Sequence, residues 1–503
     1  MAFLAIVLLL FIQLALFLSL KLVYQIWLKP KITEHKLRKQ GIHVQSFKQP
    51  HGNIKEANIE PELTHDIGAR VDPLLHGLAS RYKKLFAVSH GTMPTVIIMD
   101  PKLIKEILTR KFDFQKPEVS PTMKFFLKGL ANIEGDKWAK HRKIINPAFH
   151  IEKLKGMLPS FMASCEEMIE KWDNLIGSAE YYEVDVMPEF QDLTADIISR
   201  AAFGSNLEEG KFIFSLQRKQ GQLFLQSLFN LNSIWSRLLP SKLTKRMVQI
   251  HRQIRSLFEG IIENKEKATH SGNTDQQDLL SLLLQSNSNE VNENKNGGMS
   301  REDIIEECKL FYFAGHETTA NLLTWTMVML SMHQNWQDKA RNEVLQLVGK
   351  KKLTFDDLNH LKIVNMILLE VLRLYPPTSL VRSIHKETKI GEYSLPAGVN
   401  LKVPLHLVQR DPQLWGDDAT EFNPDRFYDG ILKASKDQLS FFSFGWGPRI
   451  CIGQNFAMLE AKLALALILQ RFSFHLSPTY KHAPNVVITL QPKFGAQIIL
   501  HKI

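Results

Sequence analysis

One short loop constrains this chain more than any other part of its sequence. Residues 444–453 read FGWGPRICIG and stand just before an apolar run, 457–471, that is predicted to be the last helix. Glycine and proline at this density exclude regular helix or strand, so Cys451 lies in a loop close to a helix N-terminus. The partial positive charge and free N–H groups of a helix N-terminus lower the pKa of a thiol. The loop therefore predicts a thiolate that does chemistry rather than a cysteine that only fills the core.

The residues around Cys451 suit one kind of ligand. Glycines such as Gly447 and Gly453 let a backbone approach a flat group closely. Arg449, two residues before the cysteine, is placed to pair with a carboxylate of that group. The pattern F-x-x-G-x-R-x-C-x-G, from Phe444 to Gly453, therefore predicts a haem whose iron is bound by Cys451 and whose propionate meets Arg449.

The rest of the chain predicts a mainly α-helical fold with small β-sheets toward both ends. With 503 residues, 44% of them hydrophobic, the composition excludes a disordered or collagen-like protein. Helical periodicity dominates residues 101–267, and a long helix begins at Ser300, where Asp303 completes a capping box. Strands are expected at 85–88, 95–99, 400–403, 486–490 and 495–501, with a turn at His90, Gly91 and Pro94. Residues 268–298 read as a surface connection with one short helical piece at 279–284.

Cysteine count and net charge narrow the function further. Three cysteines in so long a chain exclude a disulfide scaffold and favour a reducing compartment, and Cys165 and Cys308 are expected to be packing residues. The formal net charge of +10 fits an anionic membrane face, an acidic protein partner, or simple solubility. Nucleic acid is the weakest partner, because no zinc-finger, RNA-binding or basic-zipper pattern is present. A phosphate-binding glycine loop is also absent from the sequence, so direct nucleotide binding is not supported.

The N-terminus predicts a membrane anchor. Residues 2–20 are apolar except for Gln13 and Ser19, and as a helix they reach about 28 Å, close to the hydrocarbon thickness of a bilayer. Lys21 and the lysines that follow it favour a cytosolic C-terminal side, so the segment is expected to be a retained, single-pass anchor; a buried N-terminal helix is the alternative. The expected organisation is an anchor with its flank at 1–28, a basic linker at 29–58 and a catalytic domain at 59–503.

With these motifs, the sequence resembles the cytochrome P-450 superfamily of haem-thiolate monooxygenases over essentially its whole length. E-V-L-R at 370–373 and F-N-P-D-R-F at 422–427 resemble the family segments in which Glu370, Arg373 and Arg426 form a structural network that braces the cysteine loop. W-A-K-H-R at 138–142 resembles the helix whose Trp138 and Arg142 contact a haem propionate. Arg382, shortly after two prolines, matches a further propionate contact.

The long helix carries A-G-H-E-T-T at 314–319. In physical terms the small pair Ala314 and Gly315 leaves room for a ligand, and a mid-helix threonine often bonds a backbone carbonyl. The segment resembles the family's oxygen-activation motif, which implies that Thr318 holds a proton-donating water network and that Glu317 passes protons from solvent. His316 is expected to be a pocket or helix-face residue.

The resemblance implies haem b as cofactor and electrons from NADPH through a separate membrane reductase. It places the chain in the endoplasmic reticulum membrane, with a cytosolic catalytic domain, a hydrophobic small-molecule substrate and no obligate oligomer. Lys137, Lys140 and Lys143 could form a basic docking face for an acidic reductase, although a simple solvated face is the alternative. Two further functions stay open: a haem-thiolate isomerase or dehydratase acting on peroxides without O₂, and a non-enzymatic haem sensor or carrier.

Within the superfamily the chain is most similar to plant microsomal members, in the group that contains secologanin synthase and triterpenoid and gibberellin oxidases. This resemblance implies hydroxylation of an isoprenoid (a terpenoid, triterpenoid or sterol), which can continue to an aldehyde or acid. The family fold implies substrate contacts from five regions: 112–133, 223–239, 305–313, 378–381 and Phe494.

Overall fold

The secondary structure follows from a computed structural model that describes residues 2–46, 64–82, 84–90, 93–118, 123–126, 128–204, 207–230, 242–270, 278–293, 297–437 and 439–503. Its α-helices are α1 (Ala2–Val23), α2 (Lys29–Lys39), α3 (Gly68–Val71), α4 (Pro73–Tyr82), α5 (Pro101–Thr109), α6 (Met123–Phe126), α7 (Gly135–Ile145), α8 (Ile151–Ile176), α9 (Val186–Phe203), α10 (Leu207–Asn230), α11 (Lys242–His270), α12 (Leu279–Glu293), α13 (Arg301–Met332), α14 (Gln334–Leu347), α15 (Phe355–His360), α16 (Lys362–Leu374), α17 (Leu405–Val408), α18 (Pro412–Trp415) and α19 (Gln454–Arg471). Its strands are β1 (Val44–Ser46), β2 (Leu85–His90), β3 (Met93–Ile98), β4 (Phe114–Gln115), β5 (Tyr182–Asp185), β6 (Leu380–Ile384), β7 (Thr388–Ile390), β8 (Tyr393–Leu395), β9 (Asn400–Val403), β10 (Phe472–Leu476), β11 (Pro484–Val486), β12 (Leu490–Pro492) and β13 (Gln497–Lys502).

These elements form two compact units. The first unit contains residues 1–58, 72–117 and 379–408, and the second contains residues 59–71, 118–378 and 409–503. Helices dominate the second unit, and the first combines helices with a six-stranded sheet, so the predicted class, mainly α with small β-sheets, is confirmed.

The first unit is built on a six-stranded mixed sheet in the order β1-β2-β3-β9-β6-β4. β2 and β3 are antiparallel, and β3 runs parallel to β9, with Val96 opposite Leu401. The predicted pair of strands is therefore confirmed, with two changes at its turn. His90, expected in the turn, ends β2 opposite Met93. Pro94, expected in the turn, lies inside β3 opposite Ser89, near the start of the strand where the missing N–H of proline is tolerated. Gly91, also expected in the turn, lies outside the described residues.

A continuous helix from Phe3 to Lys39 begins the chain, and none of its most apolar stretch is buried. That apolar stretch has a mean hydropathy of 2.8 over 18 residues, which suits a membrane span. Its C-terminal part corrects the predicted linker. Within 29–58, α2 buries Pro30, Thr33 and Leu37, and β1 adds a parallel strand to β2. Residues 29–46 are therefore packed parts of the first unit rather than a loose tether, while residues 47–58 lie outside the described residues.

Helix α13 is the central element of the second unit. Ser300 and Asp303 form the predicted capping box at its start, where the Asp303 N–H donates to Ser300 Oγ at 3.1 Å. Its side chains are buried on all sides over most of its length, and it packs against α9, α16 and α19. A helix that is buried all round forms the middle of a core, so residues of α13 that keep accessible surface are unusual.

Two other predictions differ from the structure. The connection at 268–298 contains the end of α11 and a longer helix than expected, α12, which begins where Asp278 accepts a hydrogen bond from the Ser281 N–H at 2.9 Å. The predicted strand 486–490 is a hairpin tip, because Val486 ends β11 and Leu490 begins β12. β9 and β13 lie where strands were predicted, and α19 begins at Gln454.

Candidate functional site

The cysteine loop is closed by its own backbone. The Cys451 N–H donates to the Phe444 carbonyl at 2.8 Å, and the Ile450 N–H donates to the Gly447 carbonyl at 3.1 Å. Gly445 and Gly447 have φ values of 77° and 69°, a left-handed conformation that only glycine adopts at little cost. The glycines thus allow a tight loop that ends immediately before α19.

The Cys451 thiol is surrounded by protein atoms but keeps accessible surface. Burial raises the pKa of Cys451, while the Gly453 N–H and the Arg142 guanidinium oppose that rise. Cys451 is nevertheless an exposed residue. The sequence expectation of a lowered pKa is therefore wrong for the free thiol, because Cys451 precedes the Gly453 N-cap and burial outweighs the helix N-terminus. A metal ion would reverse this, since a coordinating thiol is deprotonated.

Arg449 links the cysteine loop to the segment before α7. Its guanidinium lies 4.4 Å from the Trp138 ring, donates to the Ile133 carbonyl at 2.9 Å and forms an ion pair with Glu134. Arg142, one turn after Trp138, donates to the Ile450 carbonyl at 3.0 Å. The structure thus brings Arg449, Trp138 and Arg142 together beside the cysteine loop, with Glu134 as a partner that the sequence did not indicate.

The same segment is held from its other side by α13. The Leu130 N–H donates to Glu307 Oε2 at 2.9 Å, and His141 Nδ1 lies 2.5 Å from Glu307 Oε1. Gly129 has a φ of 82°, and an added Cβ there would lie 2.7 Å from that carboxylate. Residues 129–134 are therefore clamped between Glu307 of α13 and Arg449 of the cysteine loop. No local pattern in the sequence could reveal this contact, which joins distant segments.

Glu370, Arg373 and Arg426 also come together. Arg373 Nε and Nη2 donate to Glu370 Oε2 and Oε1 at 2.7 and 2.8 Å, and Arg426 Nε lies 3.6 Å from Glu370 Oε1. Arg373 donates further to the carbonyls of Gln409, Ala419 and Glu421. The pair is wholly buried, and its hydrogen bonds satisfy the buried charges.

Gln409 connects this network to the cysteine loop. Its Nε2 donates to the carbonyls of Leu372 and Arg373 at 3.2 and 3.0 Å, and its Oε1 accepts from the Phe442 N–H at 2.9 Å. The end of α16 and the start of the loop are thus bonded to one buried side chain. The sequence analysis missed Gln409, which stands outside every recognised motif.

On α13 the predicted A-G-H-E-T-T segment is where accessible surface appears: residues 313–315, 317 and 318 are half-buried, whereas the helix on both sides is buried. Thr318 Oγ1 donates to the Ala314 carbonyl at 2.8 Å, the expected back-bond. Gly315 does not leave room for a ligand, because its missing Cβ would lie 2.8 Å from Ile198 Cδ1 of α9. His316 is buried against the Phe214 ring at 4.6 Å, and burial lowers its pKa to about 3.

Glu317 has a partner that the sequence did not indicate. Thr489 Oγ1 donates to Glu317 Oε1 at 2.8 Å, and Asn321 Nδ2 donates to Thr489 Oγ1 at 2.8 Å. Thr489 lies at the tip of the β11–β12 hairpin, in the stretch that was predicted as a strand. The hairpin turn, rather than a strand, is what brings this hydroxyl to α13.

Arg382 and the predicted substrate-contact regions lie in different parts of the structure. Arg382 lies buried on β6 of the first unit, where its Nη1 donates to the Val381 carbonyl at 2.8 Å. Residues 305–312 of the proposed substrate region 305–313 are buried in the core rather than facing a pocket. Residues 119–122, 127 and 231–239 of the other regions lie outside the described residues, and Phe494 is 49% exposed.

The three lysines proposed as a docking face have intramolecular partners. Lys137 lies 2.6 Å from Asp303, and Lys143 lies 2.7 Å from Glu290. Lys140 donates to the Gly298 carbonyl at 2.9 Å. These contacts join α7 to α12 and to the start of α13, while Lys137 and Lys143 stay more than half exposed, so the docking face remains a prediction.

Comparison with known proteins decides the family. Residues 65–496 match the family described as "Cytochrome P450". The chain belongs to the cytochrome P450 family. It is 51% identical to cytochrome P450 72A15 of Arabidopsis thaliana over 488 residues, with 95% of each chain covered. It is also 51% identical to the 11-oxo-beta-amyrin 30-oxidase of Glycyrrhiza uralensis over 497 residues, covering 96% of this chain and 95% of the relative.

A solved structure has the same fold. Retinoic acid bound cyanobacterial CYP120A1 superimposes with a TM-score of 0.74 over 88% of this chain and 97% of that chain, at 23% sequence identity. The predicted P450 fold and plant-type membership are therefore confirmed. As a cytochrome P450 the protein is a haem-dependent monooxygenase, and members of this family use haem b with electrons from NADPH delivered through a reductase.

The residues present fit a haem. Cys451 is an exposed residue of the closed loop, and α13 keeps accessible surface at 313–315, 317 and 318 within a buried helix. Phe149 lies near both elements, since its ring is 5.5 Å from that of Phe311 of α13 and 3.9 Å from the Cβ that Gly453, the last residue of the loop, lacks. Among the described residues no cluster of three or more histidine, cysteine or acidic side chains could hold a bare metal ion. A porphyrin supplies four nitrogen ligands to its iron, so one protein ligand such as a cysteine thiolate is enough to hold it.

Proposed function

We propose that this cytochrome P450 inserts one oxygen atom from O₂ into an isoprenoid, and that Cys451 is the residue whose sulfur would bind the haem iron. The observation that carries the proposal is the accessible Cys451 thiol in a loop braced by Arg449 and Gln409. When bound, the haem supplies oxygen activation, which a thiolate ligand promotes by donating electron density.

In this proposal the haem-binding residues have distinct tasks. Arg449, Trp138, Arg142 and Arg382 bind the propionates, supported by the side-by-side arrangement of the first three. Phe444, Gly447 and Gly453 give the loop the shape that lets a flat ring approach. Glu370, Arg373 and Arg426 keep that loop in place from the buried side, since their hydrogen bonds extend to the segments that precede it.

Glu317 and Thr318 supply protons. Insertion of one oxygen atom into a C–H bond consumes O₂, two electrons and two protons, and releases one water. Thr318 lies in the half-buried part of α13, and Glu317, the residue before it, is half-buried as well. A carboxyl that can exchange protons with solvent, next to a hydroxyl that can orient water, is the arrangement that such a supply needs.

The substrate is a hydrophobic isoprenoid, with triterpenoids the first class to test. The support is the relative from Glycyrrhiza uralensis, whose name states that it oxidises 11-oxo-beta-amyrin at position 30 and which is 51% identical to this chain. One added methylene changes discrimination by only about 1–3 kcal/mol, so a change of a few pocket residues can redirect the site of oxidation within the class. The reaction is hydroxylation, with further oxidation of the alcohol as its continuation.

The cellular setting follows from the N-terminal helix. Its exposed, apolar length suits a single span, and the lysines after it favour a cytosolic catalytic domain in the endoplasmic reticulum membrane. There an NADPH-dependent reductase on the same membrane supplies the electrons. No obligate oligomer and no nucleic acid are part of this proposal.

The experiment is expression of the full chain in microsomes with a plant NADPH-dependent reductase. A panel of 11-oxo-beta-amyrin, a second triterpenoid, a diterpenoid and a sterol is assayed by mass spectrometry with and without NADPH. We expect an NADPH-dependent product one oxygen atom heavier than a triterpenoid, absent from the Cys451→Ala variant. NADPH-independent conversion of a fatty hydroperoxide, or haem binding without any turnover, would overturn the proposal.

A further inference from the structure

Thr489 bridges two residues of α13 that lie one turn apart. Its hydroxyl donates to Glu317 Oε1 at 2.8 Å and accepts from Asn321 Nδ2 at 2.8 Å. Thr489 and Asn321 are buried, whereas Glu317 is half-buried. A residue from a distant hairpin thus completes a three-residue chain that ends at the acid assigned to proton supply.

The hydrogen bonds that link Asn321, Thr489 and Glu317 run in one direction. A threonine hydroxyl has a single proton, and a carboxylate oxygen can only accept. Because the Thr489 hydroxyl donates its hydrogen bond to Glu317, Asn321 must present its amide N–H₂ rather than its oxygen to that hydroxyl. Asparagine orientations are assigned from such networks, and here the carboxylate end determines the assignment. The donors therefore all point toward Glu317.

The hairpin is itself fixed to the core. The Trp325 indole N–H donates to the Leu490 carbonyl at 3.1 Å, and the Leu490 N–H donates to the Pro377 carbonyl at 2.9 Å. The turn before Leu490 is closed by the Val487 N–H, which donates to the Thr489 carbonyl at 3.2 Å. Thr489 is therefore held at a defined position relative to α13, and its hydroxyl is an anchor rather than a mobile surface group.

We propose that Thr489 is a positioning residue that fixes the Glu317 carboxylate at one end of the proton supply, with Asn321 orienting the Thr489 hydroxyl. This inference rests on the proposed role of Glu317. One carboxylate oxygen is anchored on the hairpin while the residue keeps accessible surface, so the acid exchanges protons with solvent without leaving its place. Without the anchor, the Glu317 side chain samples several rotamers. Protons are then delivered less precisely, and part of the O₂ is reduced to H₂O₂ by two electrons from NADPH and two protons instead of being used to oxidise the substrate.

The test compares Thr489→Val, which keeps the shape and loses the hydroxyl, with Thr489→Ser, which keeps the hydroxyl. Thr326→Val is the matched control, because Thr326 is a buried threonine of α13 that donates only to the Leu322 carbonyl at 2.7 Å. The first readout, independent of turnover, is hydrogen exchange at the Val487 and Leu490 amides. We expect faster exchange in Thr489→Val and wild-type exchange in Thr489→Ser and Thr326→Val.

The second readout separates proton supply from substrate placement. Turnover of the panel isoprenoid that the wild type oxidises is driven either by NADPH and reductase or by added H₂O₂, which brings its own oxygen and protons. We expect Thr489→Val to lower NADPH-driven product by about tenfold, a part of the ~10²-fold or more that a positioned acid contributes. H₂O₂-driven product should stay at the wild-type level. Glu317→Gln combined with Thr489→Val should be no worse than Glu317→Gln alone, because coupled residues are not additive.

The outcomes distinguish the possible failures. Equal loss of NADPH-driven and H₂O₂-driven product in Thr489→Val would show a purely structural hairpin contact and would overturn the inference. Wild-type exchange and wild-type NADPH-driven product in Thr489→Val would overturn it as well. A wild-type chain that forms no NADPH-dependent product would instead count against the proposed function, and the exchange measurement would still decide whether Thr489 anchors the hairpin.

Discussion

Arg373 and Glu370 form a bidentate ion pair in which neither side chain has accessible surface, with N–O distances of 2.7 and 2.8 Å. Removing one partner of a buried pair leaves an uncompensated charge, which costs about 3–5 kcal/mol. We expect Arg373→Ala to give little folded protein and to lose haem. Arg301→Ala, which breaks a partly exposed ion pair with Glu266, should cost less than about 1 kcal/mol. Soluble yield and thermal melting of the two variants check this, and equal stability would contradict it.

Gly315 is a packing residue, because its missing Cβ would lie 2.8 Å from Ile198 Cδ1. Gly315→Ala should destabilise the protein by about 1–3 kcal/mol through overpacking, although alanine favours helix. Ile198→Val removes the opposing methyl group, so the double variant should recover most of the loss. Gly260→Ala on α11 is the control, since nothing lies within 4 Å of its Cβ position. Failure of Ile198→Val to restore the melting temperature would reject the contact.

Buried neutral histidines predict acid sensitivity. Burial lowers the pKa of His316 and of His65 to about 3, and of His482 to about 4. In the unfolded chain histidine titrates near 6.5, so below that pH the unfolded state binds protons that the folded state does not. This contribution to stability is therefore complete above pH 6.5 and is lost as the pH falls toward the folded pKa values.

His316→Gln tests this linkage at one site. In the variant the melting temperature should fall less steeply below pH 6.5. The free energy of unfolding should lose up to about 1.4 kcal/mol less per pH unit. His150→Gln, at an exposed position, is the control for replacing a histidine by glutamine. Superimposable profiles for wild type and His316→Gln would show that His316 is not buried in its neutral form.

Gln409 holds the cysteine loop to α16 through the Phe442 N–H and the Leu372 and Arg373 carbonyls. Gln409→Ala removes the partner of the Phe442 N–H and of the Arg373 carbonyl, at about 1–3 kcal/mol each, while the Leu372 carbonyl still accepts from Ser443 Oγ at 2.8 Å. The loop should therefore loosen, and haem should transfer faster to a haem acceptor. Gln413→Ala, at an exposed position, is the matched control. Haem loss at the wild-type rate in Gln409→Ala would remove this link between the ion-pair network and the loop.

Local sequence signals predicted what depends on neighbouring residues. The Ser300 capping box, the back-bond of Thr318 and the strand 400–403 need only nearby residues, and the structure has all three. The haem-binding motif could be recognised because its glycines, arginine and cysteine all lie within the ten residues 444–453. What escaped the sequence depends on contacts between distant segments. Gly315 looked like space for a ligand until α9 was placed beside it, and Thr489 had no visible role until a hairpin turn brought it to Glu317.

The anchor region shows the same limit. The apolar run predicted a membrane span from its length alone, whereas the basic composition of 29–46 hid the packed helix that follows. Burial of Thr33 and Leu37 in α2 depends on a strand more than fifty residues further along the chain, at β3. The lysines and arginine of α2 indicated that one face of the helix contacts solvent. They could not indicate which element covers the opposite face, where Thr33 and Leu37 are buried.

The most direct measurement is the ferrous carbonyl spectrum and the ferric electron paramagnetic resonance of the purified holoenzyme, compared with Cys451→Ser. We expect thiolate signatures in the wild type, their loss in Cys451→Ser, and their retention in the Cys165→Ser and Cys308→Ser controls. An imidazole-type ligand in folded wild-type protein, or thiolate signatures that persist in Cys451→Ser, would contradict the account.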